Sequence, residues 1–153
     1  MNNNQNKKFM KEKILEAFRD LGFKLEEEEG MGYCFNYEGL NLLYMYNEND
    51  EEFLNIALPG IVEVEEDKML QTFVLLEKIN STLKYIKAYM LGKSVWLCYE
   101  RELFEQREQN TEGQLSVKEE LMTVISHMIL HLEAALLFAR KAMAEIEETV
   151  AND

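Results

Sequence analysis

The apolar positions along this chain change their period several times, and each change marks an element. From Phe9 to Leu21 they recur at helical spacing, with Met10, Ile14, Ala17, Phe18 and Leu21 on one side. Gly22 stands where a helix C-cap would end the segment. Phe23–Leu25 opens an extended stretch that runs through Glu26–Glu29 and breaks at Gly30. Tyr33, Phe35 and Tyr37 then alternate with Cys34 and Asn36, the period of two that marks a strand. Glu38-Gly39 fits a two-residue turn, and Leu40–Tyr46 is the returning strand. That strand is apolar on both parities, with Leu42, Tyr44 and Tyr46 on one and Leu43 and Met45 on the other. It is expected to be buried on both sides or to meet a partner. After a loop at Asn47–Asp50, Phe53–Leu58 forms the next strand. Pro59-Gly60 stops or bulges it, and Ile61, Val62 and Val64 extend it irregularly.

A helix and a hairpin follow. Asp67 is placed to cap a helix running through Ser81. Its broad apolar side holds Met69, Leu70, Phe73, Val74, Leu76 and Ile79. Leu83–Leu91 and Ser94–Phe104 pair about Gly92-Lys93, where glycine in the first turn position suits a type II′ turn. Tyr85 and Tyr89 share one parity of the first strand; Val95, Leu97, Tyr99 and Leu103 share one parity of the second. Glu105–Leu115 is polar and reads as a loop. Ser116-Val117-Lys118-Glu119 is a capping box, in which serine and glutamate satisfy each other's free backbone donors. A helix follows to about Glu148, with Val117, Leu121, Val124, Ile125, Met128, Leu132, Ala135, Leu136, Ala139 and Met143 on its main stripe. From Met128 to Ala139 the apolar residues spread beyond that stripe, so this stretch is expected to be buried on more than one side, a second copy of the chain supplying one contact. The elements sum to an α+β fold with a single antiparallel sheet, an N-terminal helix, a middle helix and a long C-terminal helix. Residues 1–153 read as one domain, with a folded core at 7–148 and a disordered tip at 1–6.

Length agrees, since 153 residues suit one domain and a chain of this size buries roughly 68–70% of its unfolded surface. Charge adds more. The formal net charge is −13, and no Lys or Arg occurs between Lys24 and Lys68. That span carries Glu26–Glu29, Glu38, Glu48, Asp50, Glu51, Glu52, Glu63, Glu65, Glu66 and Asp67. Phosphate backbones are repelled by such a field, which disfavours nucleic acid and anionic membranes as partners. Only the first helix is locally basic, with Lys7, Lys8, Lys11 and Lys13, and it could meet an acidic surface, the protein's own included. Asn2, Asn3, Asn4 and Gln5 fill the region where a signal peptide would begin its apolar core. No apolar stretch is expected to reach the roughly 18–20 residues that span a bilayer. Cys34 and Cys98, far apart and without His or Cys neighbours, read as reduced buried thiols. A cytoplasmic location is the expectation.

Candidate chemistry is sparse. His127 and His131, four apart on the last helix, share a face and could hold one metal ion. Glu120 is two turns from His127, and Met128 follows His127, so the His-Glu-x-x-His arrangement of metalloproteases is absent. The alternative is two partly buried histidines bonded to neighbours or water. The carboxylates fall in solvated runs that would not shift a pKa for acid–base work. The cysteines lack the basic neighbours of a reactive thiolate. Gly30 and Gly32 make a lone Gly-x-Gly pair preceded by acids, a poor phosphate cradle. No catalytic residue and no cofactor is expected. The strand aromatics remain. Tyr33, Phe35, Tyr44 and Tyr46 are the candidate partner-binding set if they face outward, and core residues if they do not.

The stretch Glu77-Lys78-Ile79-Asn80, followed by Leu83–Leu91, Gly92 and Val95–Phe104, resembles the core of YbjN-like bacterial proteins, where a helix ending near an Ile/Leu-Asn pair feeds an antiparallel hairpin. Met122–Phe138 is similar to the terminal helix of that family, and the element order resembles the type III secretion chaperone fold. The likeness covers most of Phe9–Met143. It implies a bacterial sensory-transduction regulator with no catalytic site to carry over, and the chaperone relatives imply an acidic cytoplasmic dimer that holds an extended client segment. The function expected is therefore a noncatalytic protein-binding or chaperone-like regulator. It would be a homodimer and would recognise a basic, apolar partner segment through its sheet faces or edge. The alternatives are a metal-dependent enzyme or sensor using His127 and His131, and a small-ligand-binding sensor.

Overall fold

The structure, a computed structural model, describes residues 3–103 and 116–152, with side chains from residue 10 onward. Helix α1 (Asn3–Asp20) starts well ahead of Phe9. It ends in a Schellman pair, in which the Gly22 N–H donates to the Arg19 carbonyl at 2.9 Å and the Phe23 N–H to the Phe18 carbonyl at 3.1 Å. Strands β1 (Glu26–Glu28), β2 (Gly32–Tyr37), β3 (Leu40–Met45) and β4 (Phe53–Glu63) follow. A 3-10 turn at Glu66–Lys68 leads into α2 (Met69–Thr82), then β5 (Ile86–Leu91), β6 (Ser94–Glu102) and α3 (Val117–Ala151). The six strands form one sheet in the order β1-β2-β3-β4-β6-β5, each neighbouring pair antiparallel. The expected α+β class, with one sheet and three helices, is the observed one.

Local chemistry accounts for the turns. Glu38 (φ 47°) and Gly39 (φ 85°) are both left-handed, the type I′ pattern whose twist matches flanking strands. Pro59-Gly60 bulges β4 without ending it, and the register against β6 shifts between Leu58 and Val62. Gly32 is required by contact: a Cβ there would lie 1.9 Å from the Tyr44 carbonyl oxygen. Ser116 and Glu119 form the expected capping box, with both reciprocal bonds at 3.2 Å. The expected loop at Glu105–Leu115 lies outside the described residues.

Three expectations about α2 and the strand after it need correction. Asp67 does not cap α2, because it sits inside the 3-10 turn; the residue before α2 is Lys68, and its side chain makes no cap bond. The core face of α2 is Thr72, Leu75 and Ile79, so Leu70, Phe73 and Val74 point outward. Thr72 tolerates burial because its hydroxyl donates to the Lys68 carbonyl at 3.3 Å. Tyr85 does not share the parity of Tyr89. It precedes β5 and has φ 68°, which turns its ring back toward the helices.

All three helices pack on one face of the sheet. Phe18 of α1, Ile79 of α2, and Ile125, Met128 and Leu132 of α3 meet Phe35, Leu42, Tyr44, Leu54, Ile56 and Leu97 in one core. Each fully buried Leu, Ile or Phe contributes roughly 1.5–3 kcal/mol of transfer free energy. Lys118 pins the start of α3 to the end of α1 through Asp20 at 2.7 Å and Glu16 at 3.6 Å. By length and mean hydropathy alone, α3 is long and apolar enough to cross a bilayer, which corrects the expectation that no segment reaches that length. Its Leu121, Ile125, Met128, Leu132, Ala135 and Ala139 are buried against the other elements, as in the core helix of a folded domain. The apolar spread around Met128–Ala139 is met partly by α1, α2 and the sheet, while Leu130 and Leu137 stay exposed.

Both sheet edges are blunted. β1 consists of Glu26–Glu28 alone, a short acidic strand of the kind that resists edge-to-edge pairing. At the opposite edge, the Asn80 side chain acts as a one-residue surrogate strand. Its Nδ2 donates to the Ala88 carbonyl at 3.0 Å, and its Oδ1 accepts from the Ala88 N–H at 2.7 Å.

Candidate functional site

Strand register decides which aromatics are available. Tyr33 pairs with Tyr44, and Phe35 with Leu42, so these residues share the helix-facing side with Tyr46. Phe35 and Tyr44 are buried in the core, with Phe18 at ring-centroid distances of 4.9 and 5.4 Å. They are packing residues, which corrects the expectation of an outward set. Tyr33 and Tyr46 are half-buried at the margin of the same side, beneath α1. The Lys11 ammonium lies 5.4 Å from the Tyr33 ring centre and 4.3 Å from that of Tyr46, an intramolecular cation–π contact. One of the basic residues of α1 thus does meet the protein's own acidic half. The Tyr46 hydroxyl donates to Glu51; burial, and then that carboxylate, push the phenol well above its ordinary range.

The opposite face carries the other parity, and among the described residues no helix residue joins its apolar cluster. Leu43, Ala57 and Trp96 are its buried centre, with Cys34, Met45 and Tyr89 packed around them. Leu43 thereby explains the two-sided apolarity of β3 within one chain. Beside this cluster runs an open groove of about 510 Å³, lined by Met31, Met45, Asp50, Phe53, Asn55 and Glu100 among others. Met31 and Phe53 present 40% and 38% of their surfaces to solvent. The floor is fixed by a polar chain. Lys87 Nζ lies 3.3 Å from Glu100 Oε2, Asn55 Nδ2 donates to Glu100 Oε1 at 3.2 Å, and the Cys98 thiol donates to Asn55 Oδ1 at 2.8 Å. Burial first, then the charge of Glu100, push the Cys98 thiol up to about 12. It remains a neutral donor and not a nucleophile. Burial and the neighbouring Glu28 raise Cys34 as well.

His127 and His131 are brought together on α3, their Nε2 atoms 3.1 Å apart. The His131 ring stands edge-on to Tyr85 and Tyr99 at 5.5 and 5.9 Å. Among the described residues, no group of three or more His, Cys, Asp or Glu side chains could surround a metal ion. Sequence reasoning missed Met31, Phe53, Asn55 and Glu100 as neighbours. The available signal was the second parity of the strands, polar and apolar mixed, which the tyrosines obscured.

The sheet order, the single layer of helices and the long closing helix define a YbjN-like α+β fold. The crystal structure of YbjN from E. coli, described as a candidate transcription regulator, superposes with a TM-score of 0.60 over 85% of this chain and 90% of that chain, at 14% sequence identity. No protein-family profile matches the chain, and no curated protein matches its sequence.

Proposed function

We propose that this chain is a noncatalytic, chaperone-like regulatory domain that takes up an extended partner segment, basic with apolar anchors, on the helix-free face of its sheet. The observation that carries the reading is the groove beside the Leu43–Ala57–Trp96 cluster. Exposed Met31 and Phe53 flank it, and Asp50 and Glu100 supply its charge. Apolar burial would supply affinity there, and the acidic surround would steer a cationic segment toward it. Strand addition at an edge is the weaker mode, since β1 is short and wholly acidic and Asn80 occupies the backbone of Ala88. The E. coli neighbour is described as a candidate transcription regulator; a regulatory role in this chain would run through protein contacts, since the acidic span from Leu25 to Asp67 opposes direct nucleic-acid contact. Enzymatic readings have less support, because burial raises both thiols on this face of the sheet, Cys34 and Cys98, above the ordinary range. A cytoplasmic setting belongs to the same proposal, given that Cys34 and Cys98 are both free thiols.

The test uses two synthetic peptides of equal charge, one alternating Lys with Leu and the other Lys with Ser, at about 0.15 M salt, where exposed charges are screened within roughly 8 Å. The Lys–Leu peptide should bind and the Lys–Ser peptide should not. A Met31→Ser/Phe53→Ser double variant should lose about tenfold or more in affinity, equivalent to roughly 1.4 kcal/mol of lost burial, with its melting temperature unchanged. Equal binding of both peptides, or full affinity in the variant, removes the groove from consideration.

A further inference from the structure

We propose that His127 and His131 form a two-nitrogen chelate for a divalent late transition-metal ion, leaving the remaining coordination positions to water or an incoming ligand. The site is independent of the sheet groove, being on α3 at the opposite side of the sheet. Two observations carry it. The Nε2 atoms converge to 3.1 Å, although two side chains one turn apart have ample freedom to diverge. With metal–nitrogen bonds of about 2.0–2.1 Å, a right angle at the metal separates the nitrogens by about 2.8–3.0 Å, and a tetrahedral angle by about 3.3–3.4 Å. The observed spacing falls between them, within reach of either geometry with small ring rotations.

The second observation is that His131 is held. Its ring is edge-on to Tyr85 and to Tyr99, and those two rings stack on each other at 5.4 Å with 13° between their planes. Tyr85 reaches that position through a left-handed backbone, φ 68°, which a bulky residue rarely adopts. One ligand is therefore positioned by packing, while His127 is exposed and can rotate to complete the chelate.

Protonation is compatible. Burial, and then neighbouring His127, lower the basicity of His131, the direction that favours a free lone pair. Binding requires both Nε2 lone pairs, with the ring protons on Nδ1. In the metal-free protein one Nε2–H can instead donate to the other ring; on metal binding that neutral ring would move its proton to Nδ1, with no net release. Two imidazoles without thiolate suit Cu²⁺, Ni²⁺ and Zn²⁺, with Cu²⁺ bound most tightly by the general order of divalent affinities.

The untagged full-length chain is titrated with Cu²⁺ alone, and separately with Ni²⁺ alone, near neutral pH. One equivalent of Cu²⁺ should bind per chain, with an electron paramagnetic resonance spectrum showing coupling to two ring nitrogens. Ni²⁺ should raise the melting temperature to a plateau. His127→Ala, at an exposed position, should keep the metal-free circular dichroism and melting temperature, yet weaken Cu²⁺ about tenfold or more, equivalent to about 1.4 kcal/mol. His131→Asn should do the same to affinity. Unchanged affinity in both variants, or a spectrum of oxygen donors only, would place any bound ion on the carboxylates and overturn the proposal.

Discussion

Asn80→Ala tests the closure of the β5 edge. The substitution removes two hydrogen bonds to one residue, those at 3.0 and 2.7 Å to the backbone of Ala88. Ala88 is buried, so its N–H and carbonyl would face α2 without partners. Two neutral bonds are worth about 0.5–1.5 kcal/mol each. Asn80 itself is solvent-exposed, which lets water approach and keeps the loss toward the lower end. Alanine also returns roughly 0.5 kcal/mol through its higher helix propensity near the end of α2. The expected net loss is about 0.5–1.5 kcal/mol, which for a domain of this size lowers the melting temperature by roughly 1–6 °C. Urea unfolding should show a lower midpoint with an unchanged slope. Asn80→Asp should lose more at neutral pH, since a carboxylate keeps the acceptor for Ala88 N–H but faces the Ala88 carbonyl without a donor. Its folded-state pKa would be raised, so its deficit relative to the unsubstituted protein should shrink as pH falls and the protonated acid regains a donor. A loss below about 0.3 kcal/mol in Asn80→Ala, within the scatter of surface substitutions, would refute the surrogate-strand account.

Three further outcomes follow from the same structure. Cys98, buried and pushed up to about 12, should label slowly with a thiol-specific disulfide reagent at mildly alkaline pH and rapidly after denaturation, whereas half-buried Cys34 should react ahead of it; fast labelling of both thiols in the native protein would contradict the surroundings of Cys98. Leu70, Phe73 and Val74 form an exposed apolar patch on α2, so the chain should be a homodimer by light scattering at micromolar concentration, and Leu70→Glu/Phe73→Glu should yield monomers; a monomeric parent protein, or a variant of unchanged mass, would count against this. Gel-shift assays should show no tight binding of DNA or RNA even at low salt, and salt-sensitive retention would overturn the reading of the acidic span.

Much of the fold was legible in local patterns. The turn at Glu38-Gly39, the bulge at Pro59-Gly60 and the capping box at Ser116–Glu119 each rest on residues adjacent in sequence, and each formed as expected. The α2 face was not legible, because Met69, Leu70, Phe73, Val74, Leu75, Leu76 and Ile79 surround the helix and only tertiary packing selects Thr72, Leu75 and Ile79. The side of the sheet that Tyr33, Phe35, Tyr44 and Tyr46 occupy was equally hidden, since parity groups residues without saying where the helices lie. Tyr85 broke its parity through one left-handed residue, which no neighbouring glycine announced. The Ile79-Asn80 pair was visible as a pattern, but its reason was not. Ile79 fills the core while Asn80 closes an edge formed eight residues later. The groove at Met31, Phe53 and Glu100 joins three separate segments, so only the register could assemble it.

The central claim, recognition on the helix-free face, is tested most directly by mapping backbone amide shifts during titration of the isotopically labelled protein with the Lys–Leu peptide. The largest changes should fall on Met31, Met45, Phe53, Asn55 and Glu100, with the helix-side residues Phe35 and Ile125 undisturbed. Shifts centred on α2 or α3, with the groove silent, would contradict the claim.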